Sequence, residues 1–283
     1  MNGPMRHFAR LLVVCLMLAG TAAAYLRHRF APSYPALVPT LVALPLLALG
    51  AVAFQRAQVW QNPLTLWQDA VAKYPERAFP WERLAGAYHM TGASGNDGAI
   101  AAYNRALKLD PKNDMALYNM AVMYMDLGEN DKAFDLLQKL LKLKPEYVMG
   151  WVALGDIYML RSDYPAAETA YKRAYALQPD AVKVLSAMGN VSMYLGHMDK
   201  ARYYYGQIEA RERDNPDIAY QLACVESLAG QADATIYWLN QALQRGYRDL
   251  QTLMTSEELA PIRADRRFGE LMQKYFPGEV APD

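Results

Sequence analysis

From about residue 79 onward, apolar residues recur three and four positions apart in stretches of helical length, the signature of helices with one buried face. Short polar turns such as LGENDKA, RSDYPAA and LGHMDKA separate them. The pattern also repeats on a larger scale. LKLDPKNDMALYNMAVMY at 107–124 is answered by LKLKPEYVMGWVALGDIY at 141–158, a step of 34 residues. Pro111, Pro145 and Pro179 keep that step, as do Ala99, Ala133, Ala167, Ala201 and Thr235, and Met120, Leu154, Met188 and Leu222. Small residues (Ala121, Gly155, Gly189, Ala223) follow the last set, where two helix backbones must approach closely. Each unit therefore predicts a pair of helices, and the proline closes the second helix and starts the connection to the next unit. One pair cannot bury its own apolar face, so the units predict an all-α solenoid of stacked hairpins.

The first 56 residues read differently. Two uncharged apolar runs, at about 8–26 (interrupted only by Arg10) and 36–54, each reach the length needed to span a bilayer. The short turn RHRFAPSYP between them predicts a transmembrane helical hairpin, its second helix kinked by Pro39 and Pro45. A cleaved signal peptide is the rival reading of the first run, with TAAA as its cleavage region. Basic residues on both sides of that run and the second span close behind favour retention.

Charge sharpens this division. Five arginines and no acidic residue fall in 1–56, so the remainder carries five more acids than bases although the whole chain is neutral. A mildly acidic body offers no electrostatic footprint for nucleic acid. Cys15 lies in the first apolar run and Cys224 deep in the body, which predicts no disulfide. The four histidines (His7, His28, His89, His197) are scattered without metal-ligand spacing. GASGNDG lacks both the dinucleotide fingerprint and the Lys-Ser/Thr of a phosphate loop and reads as a lengthened turn. No serine or cysteine sits in a nucleophile-elbow context. The chain is expected to have no catalytic residues, no metal site and no cofactor.

Trp151, Leu154, Gly155, Tyr158, Ala167, Tyr171, Ala174 and Pro179 match all eight signature positions of the tetratricopeptide repeat (TPR) family, which the chain resembles. On that resemblance residues 79–247 hold five repeats, at about 79–112, 113–146, 147–180, 181–214 and 215–247. Residues 57–78 form a junction with a half-repeat helix, and 248–283 form capping helices and a tail. Departures are a two-residue insertion in the first repeat, Ser192 and Arg213 for the usual Tyr and Pro in the fourth, and Glu226 and Thr235 for the usual Tyr and Ala in the fifth.

The resemblance implies a right-handed solenoid whose concave groove is lined by the first helix of each pair. Carried over residue by residue, the groove takes Met115, Tyr118, Val122 and Met125 from the second repeat and Met149, Val152, Asp156, Met159 and Leu160 from the third. The fourth repeat supplies Lys183, Ser186, Asn190, Met193 and Tyr194, and the fifth Asp217, Tyr220, Cys224 and Ser227. This lining is rich in Met and Tyr, which suits an apolar or amphipathic helix or extended segment of a protein partner. The plainer alternative is that many of these methionines pack between helices.

The stretch 54–77, with Trp60, Leu66, Trp67 and Pro75, is similar to the junction in membrane glycosyltransferases that append such repeats to a multi-span catalytic part. That similarity implies an extracytoplasmic repeat domain at the bacterial inner membrane, whereas the flanking arginines (Arg6, Arg10 and Arg56 against Arg27 and Arg29) vote three to two for the cytoplasmic side. It implies no catalysis, because no acidic residue precedes Asp69. The expected function is a membrane-anchored adaptor for a protein partner. The alternative is an accessory, non-catalytic portion of a lipid-linked-sugar glycosyltransferase.

Overall fold

The computed structural model describes residues 37–279 together with Thr21 and Tyr25, with the side chains of 37–46, Gln55 and Ala93 not included. The first predicted membrane span lies almost wholly outside the described residues. The second falls in a continuous helix, α1 (Leu37–Val59). Among the fully described residues no helix is long and apolar enough to cross a membrane. All regular structure among the described residues is helical.

The chain divides into two compact units, up to Arg105 and from Ala106. In the first, α1 is followed by α2 (Pro63–Lys73) and α3 (Ala78–His89). Asn62 caps α2 by accepting the Leu64 amide, and Pro63 supplies a preset φ at its first position. A 3₁₀ turn, Gly92–Gly95, takes up the two-residue insertion before α4 (Asn96–Leu109). The α2–α3 junction is closed by Trp67 meeting Phe79 edge-on at 5.7 Å and by the Trp81 indole N–H donating to the Pro75 carbonyl at 2.8 Å.

The second unit contains four hairpins in chain order. They are α5–α6 (Asp114–Asp126, Asn130–Leu143), α7–α8 (Val148–Leu160, Tyr164–Leu177), α9–α10 (Val182–Tyr194, Met198–Glu209) and α11–α12 (Pro216–Leu228, Ala232–Gln244). Each hairpin packs internally, and the second helix of one lies against the first helix of the next. Buried Leu137, Leu140, Ile157, Leu185, Ile208 and Leu239 fill the layers between helices. The repeat register dictates local chemistry as well. The Trp151 indole donates to the Pro145 carbonyl at 2.7 Å, six residues back as at Trp81.

Small residues on the first helix of each pair are matched to the bulk facing them. A Cβ on Gly155 would lie 2.2 Å from the Tyr171 ring, and one on Gly189 2.7 Å from the Tyr205 ring. The repeats that carry Ala121 and Ala223 instead place Leu137 and Leu239 at the tyrosine position. The hairpin turns share a residue in left-handed conformation: Gly128, Gly196 and Gly230 at φ near 74°, and Ser162 at φ 56°.

After α12 the chain makes a short helix, α13 (Leu250–Thr255), a 3₁₀ segment at Glu257–Ile262 and α14 (Arg266–Tyr275). Leu253, Leu259, Ile262, Phe268, Met272 and Phe276 join one buried cluster with α11 and α12. The 3₁₀ segment lies against α11, the first helix of its pair, and α14 against α12, the second.

Candidate protein-binding groove

The inner helices α5, α7, α9 and α11 place the candidate residues on a grid with four columns, each stepping 34 residues: 115/149/183/217, 118/152/186/220, 122/156/190/224 and 125/159/193/227. The first column is accessible throughout, with Met115 and Met149 followed by Lys183 and Asp217. The remaining columns are accessible at α5 and close toward α11. Tyr118, Val122, Met125, Asp156, Met159 and Asn190 are half-buried, and Tyr194 and Leu160 are exposed. Val152, Met193 and Tyr220 are buried, at 1%, 7% and 7% exposure. Val152 packs with Val184, Met188 and Val191, and Met193 belongs to the cluster that contains Leu259 and Ile262. Cys224 and Ser227 are buried in the same helix as Tyr220.

The C-terminal 3₁₀ segment explains the closure at α11. It packs on α11, so the end of the groove is filled by the chain itself. Burial pushes the Cys224 thiol up to about 12, which leaves it an inert, protonated packing group at neutral pH. The sequence reading makes 248–283 a cap but does not foresee that part of it covers the inner helix α11. The available signal was Leu259 and Ile262, apolar residues spaced at one helical turn in a stretch outside the repeat register.

Polar groups at the groove floor are held from behind. The Tyr171 hydroxyl passes over Gly155 and donates to Asp156 Oδ1 at 2.6 Å, and the Tyr205 hydroxyl donates to Asn190 Oδ1 in the same register. Burial raises the Asp156 pKa above the ordinary carboxylate value, against the opposing effects of the Tyr171 donor and the Lys183 charge. Burial, reinforced by the Asp156 charge, also raises the pKa of Tyr118. Tyr118 meets Tyr147 at 5.4 Å, and the Tyr147 hydroxyl donates to Met115 Sδ at 3.7 Å. Asp114 is paired with Lys144. The result is a flexible thioether surface on rigid aromatic supports. Among the described residues, no group of three His, Cys, Asp or Glu side chains is placed to hold a metal ion.

Family models described as "TPR repeat" and "Tetratricopeptide repeat" match residues 96–128 and 124–182. Residues 96–182 match the tetratricopeptide repeat family. No curated protein sequence is significantly similar to the chain. Among solved structures, PilW, described as a widely conserved type IV pilus biogenesis factor, superposes with a TM-score of 0.61 at 22% identity, over 72% of this chain and 95% of that one. MamA is 27% identical over 54% of this chain and 90% of its own, with a TM-score of 0.50. YrrB, described as a TPR protein with an unusual peptide-binding site, is 19% identical over 66% of this chain and 96% of its own, with a TM-score of 0.54. PilW and YrrB, at these identities, speak to the fold alone. The family models and these structures agree on a fold of stacked helical hairpins.

Proposed function

We propose that the chain is a membrane-anchored, non-catalytic scaffold that holds a protein partner in the concave face of its repeats, close to the bilayer surface. One observation carries the reading: Met115 is exposed and Met125, Met149 and Met159 are half-buried, and all four share the inner helices α5 and α7 beside Tyr118, so that flexible apolar side chains gather on one face. Accessible apolar residues clustered on one face of a folded domain mark an interaction site. The anchor rests on the sequence, through the uncharged runs at about 8–26 and 36–54. The extracytoplasmic placement rests on the junction around Trp60, Trp67 and Pro75. The half-repeat helix α2, which follows α1 directly, favours one second reading: an accessory portion of a lipid-linked-sugar glycosyltransferase, with the same groove serving its catalytic partner.

The test is the triple substitution Met115→Lys, Met125→Lys and Met159→Lys, with Met193 left alone because it is buried. Proteins that co-purify with the wild-type chain from membranes should be lost while the circular dichroism spectrum and melting midpoint hold. Unchanged co-purification by a folded triple variant overturns the groove. A compartment-specific reporter fused after Asp283 tests the side of the membrane, and activity in the cytoplasm refutes the extracytoplasmic placement.

A further inference from the structure

The groove is apolar in its walls but unequal in charge. Asp156 lies on its floor with Oδ1 engaged by Tyr171. Lys144 is committed to Asp114, and the base whose charge acts on Asp156 is Lys183. At the other end the 3₁₀ segment packed on α11 carries Glu257 and Glu258, whose negative charges reach Tyr194. Neither glutamate makes an ion pair among the described residues. Tyr194 is 52% exposed and stacks on Tyr164 with ring centroids 5.0 Å apart and 15° between planes. Such a stack presents a rigid π face within reach of the field of two carboxylates, and both attract a cation. The body as a whole adds to the bias, since residues after 56 carry five more acids than bases.

We infer that the partner segment is apolar and basic: its aliphatic side chains lie on Met115, Met125, Met149 and Met159, and a lysine or arginine sits at the α9 end, between the Tyr164–Tyr194 stack and the carboxylates of Glu257 and Glu258. The inference rests on the groove reading above and adds the charge of the occupant. It also gives the C-terminal segment a second role. By covering α11 it moves the effective end of the groove to α9, and it supplies the acidic groups that select what docks there.

The experiment is peptide selection on the full chain in detergent, using a displayed random dodecapeptide library at low salt, repeated on E257Q/E258Q and on the triple Met→Lys variant. Enriched peptides should pair aliphatic residues with Lys or Arg, and their binding should weaken by about fivefold in E257Q/E258Q, the effect expected from losing one exposed and one half-buried attraction. A Tyr194→Ala variant should weaken the same peptides without changing the melting midpoint. Enriched peptides that lack basic residues, or that bind E257Q/E258Q as tightly as wild type, overturn the inference. If those peptides still fail on the triple variant, the groove reading stands. If no peptide is enriched, or binding ignores the triple substitution, both readings fall.

Discussion

The hairpins α7–α8 and α11–α12 occupy equivalent places in the repeat but answer the same packing problem with different residues. In α7–α8 the first helix carries Gly155, and the second fills the space with Tyr171, whose hydroxyl crosses to Asp156. In α11–α12 the first helix carries Ala223, the second a smaller Leu239, and the position equivalent to Asp156 is Cys224. The pair α5–α6 uses the second solution, with Ala121, Leu137 and Val122. Size is conserved across the interface, while the groove residue is free to be polar only where a tyrosine can reach it. The two hairpins also differ in what faces them. Asp156 and Met159 on α7 are left half-buried, whereas α11 lies under the C-terminal segment.

The sharpest way to break this comparison is Gly155→Ala. Its Cβ would overlap the Tyr171 ring, and overpacking of a well-filled site should cost about 3 kcal/mol in chemical denaturation. The triple change G155A/D156V/Y171L rebuilds the set found in α5–α6 and should recover most of that loss. If it fails to recover, the two packing solutions are not interchangeable and the size argument is wrong.

A second break acts on the fifth repeat's own departure from the family pattern. Glu226, at the usual Tyr position, is buried and held by Arg202 through two bonds, Nε to Oε1 at 2.6 Å and Nη2 to Oε2 at 2.9 Å. Removing one partner of a buried pair leaves a desolvated charge. Because Arg202 is 40% exposed, Arg202→Ala should cost about 2 kcal/mol rather than the full penalty. Glu226→Gln in that background should restore part of it, as read from urea midpoints. No such recovery would mean that Arg202 acts through packing of its stem.

A smaller effect of opposite sign is expected at the turn before α8. Ser162 adopts φ 56°, where the equivalent positions hold Gly128, Gly196 and Gly230. A side chain in that region is strained, so Ser162→Gly should stabilise the chain by about 0.5–1 kcal/mol, net of glycine's greater freedom when unfolded. A lower melting midpoint would refute the strain.

Much of this was legible from spacing. The 34-residue step places Ala133, Ala167 and Ala201 in the core and Trp151 over Pro145, because those contacts lie within a repeat or between adjacent ones. Exposure on the inner face was less legible. Met125, Met159 and Met193 share one register, yet Met193 is buried, because its environment includes Leu259 and Ile262, some 70 residues away and outside the period. A repeat predicts what its neighbours do. It carries no information about a tail that folds back across it. The Arg202–Glu226 pair was hidden for a related reason, since it joins two unusual residues in adjacent repeats and neither belongs to the family pattern.

The subtlest test returns to the groove floor. Burial raises the Asp156 pKa above its value in the unfolded chain, so the folded state holds its proton more tightly. Below the unfolded value of 3.8 the carboxyl is protonated in both states and this burial carries no ionisation cost. As the pH rises through 3.8 and then through the higher folded value, the unfolded chain ionises first, and stability falls across that window to a lower plateau. Asp156→Asn keeps an acceptor for Tyr171 and abolishes the ionisation. The variant should therefore melt higher than wild type at neutral pH, with the difference vanishing at acidic pH, in thermal scans at matched ionic strength. The same substitution removes a carboxylate from the groove floor, so it should also loosen basic peptides. A variant more stable at pH 7 yet weaker in binding would mean that the groove keeps an unfavourable charge for what it holds, whereas equal stability at every pH would place Asp156 in solvent.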